Sequence, residues 1–352
     1  MQIKRRKTKI VKIGSLLIGG KNNIAIQSMA NTDTRDIRRT VKQIKELERA
    51  GCEIVRVAVL DEEAARAIGK IKKDIDIPLV ADIHFNYKLA LMSIQSGADK
   101  IRINPGNITS KKQLREIAKL ARAYGIPIRI GINSGSVKRS GRDNLVEDMI
   151  TCAKRQLDIF KTLNFNQAVF SLKAPDVLTT IAAYRRMTNL TDAPMHLGIT
   201  AAGLAECAIV KSSLGIGVLL LEGIGDTIRV SLTGDPADEV KIAKEILKTL
   251  NIRRRGFEII SCPTCGRCNI DLVDIVKKVE QGLSKLDENK FGENKIKIAV
   301  MGCVVNGPGE AKDADVGIAW AQTRGVLFKK GKRIRVLRKG ELINALLAEV
   351  IK

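Results

Sequence analysis

The chain has 352 residues and a net charge of +23, with 61 Lys and Arg against 38 Asp and Glu. Its length suits one large domain and one small one. With 3% aromatic residues, including one Trp and three Tyr, it lacks the interleaved stacking groups of a nucleic-acid-binding surface. No apolar run approaches a membrane span, so the sequence reads as soluble and cytoplasmic, with no membrane partner. The excess basic charge fits an anionic small molecule or an acidic redox partner.

The N-terminal stretch MQIKRRKTKIVKIGSLLIGGK has a charged start and a short apolar run. Lys12 breaks that run and no small-residue cleavage pattern follows, so it reads as a hairpin with Gly19-Gly20 near the turn. From residue 24 to about 250 one alternation recurs. The strand-like runs are Ile24-Ser28, Ile54-Ala58, Pro78-Ile83, Lys100-Asn104, Pro127-Asn133, Ala168-Lys173, Met195-Thr200 and Thr227-Leu232. Amphipathic stretches follow them at Asp36-Ala50, Glu62-Lys73, Tyr87-Gln95, Lys111-Tyr124, Asn144-Leu163, Asp176-Met187, Leu204-Leu214 and Pro236-Leu250. Eight strand–helix alternations predict an α/β fold, a (β/α)8 TIM-type barrel over residues 1–250. An open doubly wound sheet is the alternative, but no glycine-rich fingerprint follows Ser28. The polar segment Asn251-Gly256 reads as a linker to a small α+β domain over residues 257–352. There the expected elements are a helix at Leu272-Leu286, a polar loop at 287–294, a strand at Ile296-Met301, a hairpin around Gly331 and a last helix at Glu341-Ile351.

In such a barrel the C-terminal strand ends form the active-site mouth. Here they offer Arg56, Asp82, His84, Arg102, Asn104, Arg129, Asn133, Lys173, His196, Arg229 and Ser231. Side chains two or four apart share a strand face. That rule places together Asp82 and His84, Arg102 and Asn104, Arg129 and Asn133, and Arg229 and Ser231. Arginines converging on one mouth call for an anion, and a phosphate or diphosphate is the simplest. The competing explanation pairs each arginine with a neighbouring carboxylate, from Asp82, Glu222, Asp226 or Asp235. His196 begins its strand and reads as a satisfied core residue, whereas His84 lies at the mouth and reads as a substrate contact.

The run Cys262-Pro263-Thr264-Cys265-Gly266-Arg267-Cys268, with Cys303 far downstream, fits thiolate ligands of an iron–sulfur cluster. Structural zinc is the alternative, although Cys303 has no second Cys beside it to complete a zinc knuckle. By spacing, Cys268 competes as a ligand. Cys52, Cys152 and Cys207 stand alone and read as small core residues. Two functional alternatives stay open. One is another phosphate-binding barrel, of pterin type for example, with a structural metal domain. The other is a basic nucleic-acid-binding zinc protein.

The stretches QSMANTDTRD (27–36), ADIHFN (81–86), IRINPGN (101–107), IRIGINSGS (128–136), SLKAPDV (171–177), EGIGDTIRVSLTGDP (222–236), SCPTCGR (261–267) and MGCVVNGPGEAKDADVGIA (301–319) span nearly the whole chain. Together they resemble the 4-hydroxy-3-methylbut-2-en-1-yl diphosphate synthase family of the non-mevalonate isoprenoid pathway, in its two-domain bacterial form. The resemblance implies reductive ring opening and dehydration of 2-C-methyl-D-erythritol 2,4-cyclodiphosphate. It implies a [4Fe-4S] cluster on Cys262, Cys265, Cys303 and Glu310, and ferredoxin or flavodoxin as electron donor. It also implies a homodimer in which one subunit's cluster domain closes over the other's barrel. Arg56, Arg102 and Arg129 match its diphosphate-binding positions. His84, Asn104, Asn133 and Lys173 match other substrate contacts, as does Asn306 in the cluster loop. Asp82 and Glu222 match acidic positions, with Glu222 as the proposed proton donor and Asp82 next in line. The chain departs from the family where Thr200-Ala201-Ala202-Gly203 replaces the usual Thr-Glu-Ala-Gly, which removes a mouth carboxylate. Trp320-Ala321-Gln322 also stands where glycines are frequent.

Overall fold

The structure is a computed structural model describing residues 3–141, 144–253, 256–268, 270–286, 291, 295–303, 312–320 and 324–351. The chain divides into two compact units, Met1–Leu250 and Asn251–Lys352.

The first unit opens with an antiparallel hairpin, β1 (Val11–Ile13) and β2 (Leu16–Ile18). Its turn lies at Gly14-Ser15, where Gly14 has φ +56°. The expectation of a turn near Gly19-Gly20 is therefore displaced by one strand. Gly19 instead lets the chain turn tightly past its own start: at φ +83°, a Cβ there would lie 2.0 Å from the Lys9 carbonyl oxygen.

The alternation then follows in order. The first half runs β3 (Ala25–Met29), α1 (Ile37–Ala50), β4 (Ile54–Val59), α2 (Glu62–Lys73), β5 (Leu79–Ile83), α3 (Tyr87–Gln95), β6 (Lys100–Ile103) and α4 (Lys111–Ala123). The second half runs β7 (Ile128–Asn133), α5 (Leu145–Thr162), β8 (Ala168–Lys173), α6 (Val177–Thr188), β9 (His196–Leu197), α7 (Ala205–Leu221), β10 (Thr227–Ile228) and α8 (Pro236–Thr249). Aspartates cap several helix starts. Asp61, Asp176 and Asp235 accept from backbone N–H groups of the first turn, which would otherwise lack partners.

All eight strands are parallel neighbours in the order β8-β7-β6-β5-β4-β3-β10-β9. The bridge between Phe170 and Met195, with Phe170 N–H donating to the Pro194 carbonyl at 3.0 Å, joins β8 to β9 and completes the barrel. This excludes the open sheet. β9 and β10 are shorter than the sequence runs, because residues beyond Leu197 and Ile228 leave ladder pairing for the mouth loops. Conversely, α7 runs on to Leu221, past the expected end at Leu214. Gly215 is no stop signal there; it lets the helix pack on Ile199, whose Cδ1 would lie 2.5 Å from an added Cβ.

The floor of the barrel is apolar. Ala25, Ile54, Val80 and Val169 point inward and pack on Val11, Ile13 and Ile18 of the hairpin, which seals that end. Cys52 is buried as expected and Cys152 half-buried, but Cys207 is exposed on α7.

The second unit holds a five-stranded sheet in sequence order, made of β11 (Gly256–Ser261), β12 (Lys295–Met301), β13 (Val316–Trp320), β14 (Arg324–Lys329) and β15 (Lys332–Arg338). The first three strands are parallel and the last two antiparallel. Helices α9 (Leu272–Leu283) and α10 (Leu342–Ile351) share one apolar core with the sheet, around Val300, Ile318, Trp320 and Leu346. Among the described residues, no helix is long and apolar enough to cross a membrane.

Ile13 is fully buried in the barrel floor. Ile13→Ala should lower barrel stability by about 3 kcal/mol, through lost burial and the cavity left behind. Denaturant unfolding followed on the isolated 1–250 unit checks this, and an unchanged midpoint would mean that the hairpin does not seal the barrel.

Candidate active site

Strand register brings the polar residues together at the C-terminal ends of the barrel strands. Asp82 of β5 lies beside Arg102 of β6, and Arg102 beside Arg129 of β7; Asn133 pairs with Lys173 of β8. These side chains, with Arg56, His84, Arg229 and Ser231, line a cavity of about 240 Å³. It is small beside ordinary ligand pockets of about 300–1,000 Å³ and suits a compact anion.

Asp82 is the centre of the site. Its Oδ1 accepts from Arg102 Nη1 at 3.0 Å, while its Oδ2 lies 3.6 Å from Arg56 Nε and 3.5 Å from His84 Nε2. Burial alone would raise its pKa. The charge of Arg56, the His84 hydrogen bond and the charges of Arg102 and Arg129 outweigh that, so its carboxyl is held well below the usual carboxylate range. Asp82 is thus ionised and fully engaged at neutral pH. It organises the arginines, and an ionised, engaged carboxylate holds no proton for the role in which it stood second to Glu222.

Arg102 also donates to the Gly131 carbonyl at 3.2 Å, and Gly131 makes room for it: a Cβ there would lie 2.4 Å from Arg102 Nε. Arg229 is clamped by Glu239 through two bonds of 3.0 and 2.9 Å. Arg129 has no such partner. It is 1% exposed, and its Nε and Nη1 meet no acceptor among the described residues. Burial and then repulsion from Arg56 and Arg102 push its pKa well down. Burial likewise brings Arg56 down to about 10.

Lys173 Nζ lies 3.4 Å from His196 Nε2, and His196 Nδ1 lies 2.8 Å from Thr227 Oγ1. His196 is the buried, bonded residue expected, yet it holds a cavity-lining lysine. Below it Lys100, fully buried, has Gln27 Oε1 at 3.5 Å. Lys100, Gln27, Glu239 and Thr227 were missed. The parity rule that joined Arg102 to Asn104 also joins Lys100 to Arg102 and Thr227 to Arg229, so the signal was present for those two. Glu239 lies inside a helix and left none.

Other expectations fare differently. Asn104 is buried but turns into its own loop, accepting from Gly106 N–H at 3.0 Å, and does not line the cavity. Glu222 is not at the mouth. It caps the C-terminal end of α7, five residues before β10 begins, and so lies at the opposite end of the barrel beside Arg5, Arg6 and Arg185. Its hydrogen bond and ion pair with Arg185 lower its pKa. A strand's N-terminal end cannot supply the mouth of a parallel barrel, and this overturns the expectation that Glu222 is the acid. Asp226 pairs with Arg5 and Asp235 caps α8, so neither neutralises a mouth arginine. Ala201 follows the cavity-lining Thr200 and is exposed with φ +49°.

In the second unit, Cys262 follows β11 and Cys303 follows β12, at the same end of two adjacent parallel strands. The Gly302 N–H donates to Cys262 Sγ at 3.2 Å. Cys265 is exposed, whereas Cys268 packs against the domain core and its Sγ donates to the Ile270 carbonyl at 3.5 Å. Among the described residues, no three Cys, His, Asp or Glu side chains gather around one metal-ion-sized point. Asn306 and Glu310 lie outside the described residues.

Residues 8–244 match the family model described as the GcpE TIM-barrel domain, and residues 258–352 the GcpE protein C-terminal domain. The chain is 50% identical to a protein of Ruminiclostridium cellulolyticum, over 99% of this chain and 98% of that one. It is 51% identical to a protein of Thermodesulfovibrio yellowstonii, over 99% and 100%. Both carry the name 4-hydroxy-3-methylbut-2-en-1-yl diphosphate synthase (flavodoxin). Among solved structures, a dihydropteroate synthase of Stenotrophomonas maltophilia aligns over 68% of this chain and 98% of that one, with TM-score 0.52 and 14% identity, a likeness of fold alone.

Replacing Asp82 by Asn should cost about 3–5 kcal/mol of stability, because it leaves buried guanidinium groups uncompensated. The folded pKa of Asp82 is depressed. Its contribution is therefore present above the ordinary value of 3.8 and is lost as pH falls through the lower folded value. Asp82→Asn should accordingly flatten the acid limb of a stability–pH profile below about pH 4. An unaltered limb would show that Asp82 is not the anchor of the mouth.

Proposed function

The chain belongs to the GcpE family, and from that premise we propose that it converts 2-C-methyl-D-erythritol 2,4-cyclodiphosphate to 4-hydroxy-3-methylbut-2-en-1-yl diphosphate by two-electron reduction with loss of water. The observation that carries this reading is the charge at the barrel mouth. Arg56, Arg102, Arg129, Lys173 and Arg229 line the cavity against one lining carboxylate, Asp82. The buried N–H groups of Arg129 await an acceptor, and a diphosphate supplies both charge and geometry. His84 and Asn133 stand at the rim as further substrate contacts.

The chemistry also calls for electrons. Cys262, Cys265 and Cys303 fit a [4Fe-4S] cluster in donor type, and the Gly302 N–H already bonds Cys262 Sγ as it would a cluster thiolate. A cluster spreads its ligand sulfurs more widely than a single metal ion does, so the lack of a single-ion cage among the described residues is compatible with it. Glu310 is assigned the fourth position on family pattern. When bound, such a cluster delivers electrons one at a time. A flavodoxin is the donor named for the relatives and is taken as the partner here. On the family pattern the active form is assigned as a cytoplasmic homodimer, and Asn306 as a further substrate contact.

Anaerobic incubation of the cluster-loaded protein with the cyclic diphosphate and reduced flavodoxin should give the allylic diphosphate and water. Absence of product from protein carrying its full iron would remove the assignment.

The ligand set is tested separately. The Cys268 thiol is bonded to the Ile270 carbonyl, so Cys268→Ser should keep iron and colour while Cys303→Ser loses both. Loss of iron in Cys268→Ser with retention in Glu310→Ala would make the cluster all-thiolate.

A further inference from the structure

The reduction consumes one proton, and among the described residues no carboxylic acid is free to supply it. Asp82 is ionised and triply engaged, Glu239 is clamped to Arg229 and Ser28, and Glu222 lies at the other end of the barrel. Arginine does not give up its proton in proteins. Among the described residues lining the cavity, that leaves His84 and Lys173.

Lys173 differs from His84 in what stands behind it. From its Nζ a buried hydrogen-bonded chain runs through His196 Nε2 at 3.4 Å and from His196 Nδ1 to Thr227 Oγ1 at 2.8 Å. Three successive elements, β8, β9 and β10, supply one residue each. Gly198 keeps the space open, since a Cβ there would lie 2.4 Å from Lys173 Nζ. The Tyr184 hydroxyl of α6 donates to the His196 carbonyl and fixes the imidazole's strand. The charged groups around Lys173 are Arg129 from β7, Arg229 from beyond β10, Arg56 from β4 and, opposing them, Glu239 from α8. Lys100 from β6 also faces His196. Burial and then these cations push Lys173 well below an ordinary lysine, and burial with the same cations keeps His196 neutral.

A neutral imidazole carries one N–H, so the chain has two ordered states. With Lys173 as ammonium, Lys173 donates to Nε2, and Nδ1–H donates to Thr227. With Lys173 as amine, Nε2–H donates to the amine, and the Thr227 hydroxyl donates to Nδ1. In both states the three side chains stay hydrogen-bonded to one another, so losing the proton does not break the chain.

We propose that Lys173 is the general acid of the reaction, with His196 and Thr227 as a tautomeric switch that stabilises it before and after proton transfer. This rests on the substrate reading above. The cyclic diphosphate dianion takes up two electrons from a carrier of the flavodoxin class. The carbon–oxygen bond to the ring phosphate breaks, and its electron pair leaves on the diphosphate. The carbon–oxygen bond to the neighbouring hydroxyl breaks, and the two added electrons become the new carbon–carbon π bond. The Lys173 N–H bond breaks, and its proton joins the departing hydroxyl as water. The Lys173 amine then regains a proton from solvent.

The chain has only two histidines, so nitrogen NMR of histidine-labelled holoenzyme reads the switch directly, with His84→Gln assigning the signals. Without substrate, His196 should stay neutral while its hydrogen moves from Nδ1 to Nε2 as pH rises, at the same pH where kcat/KM, which reports the free enzyme, begins its alkaline fall. Lys173→Met should abolish the tautomer change. Lys173→Arg, which keeps the charge, should still bind the cyclic diphosphate but turn over about 10²-fold or more slowly, with no alkaline limb. A His196 tautomer constant with pH, a change that persists in Lys173→Met, or an alkaline limb lost in His84→Gln and kept in Lys173→Arg would each overturn the proposal. A switch that appears in a wild-type enzyme unable to convert the cyclic diphosphate would instead overturn the substrate reading and the acid role that depends on it.

Discussion

Everything at the barrel mouth depends on one electrostatic imbalance: too many buried cations for the carboxylates that face them. Desolvating a guanidinium or ammonium is costly unless a counter-charge replaces water. Asp82 holds Arg102 and Arg56, and Glu239 holds Arg229. Arg129, Lys173 and Lys100 have no carboxylate bonded to them among the described residues, and all three have pKa values pushed well down by burial. Such a site is strained when empty and relaxed by an anion. That makes the affinity for a diphosphate a property of the fold as much as of any single contact.

The scaffold can sustain that strain because the floor at the far end of the barrel is apolar and closed. The hairpin packs on that floor, so apolar burial there adds to whatever cohesion the polar layer supplies. The parallel register sets the neighbours Asp82, Arg102 and Arg129 side by side on three adjacent strands. Glycine at 131 and 198 then clears space for the long cationic side chains of Arg102 and Lys173. Strand ends carry most of the lining, with His84, Thr200 and Ser231 added from just beyond them.

Much of this was legible in sequence. Eight β-branched runs alternating with amphipathic stretches gave the barrel, and two-residue parity gave most of the lining, because both follow from backbone geometry. The failures have equally physical causes. Glu222 stands close to the last strand in sequence, but on the strand's entry side, and nearness to a strand does not say which end of the barrel a residue serves. Asn104 has the right parity, but the turn after β6 redirects its side chain into the loop. The expected helix end at Leu214 fell short because Gly215, inside the helix, is a packing position against Ile199. Glu239, the partner of Arg229, is hidden because a helix residue pointing into a barrel has no period linking it to the strand it meets.

Burial disfavours the charged forms of Lys173 and Lys100 at the mouth, and a bound anion favours them. Calorimetric titration of the protein with the cyclic diphosphate, repeated at mildly alkaline pH in buffers of different ionisation enthalpy, measures the protons exchanged on binding. The depressed pKa values of Lys173 and Lys100 must rise when the diphosphate arrives. The account therefore requires net proton uptake, smaller in Lys173→Met. Binding with no proton exchange, or with proton release, would contradict it.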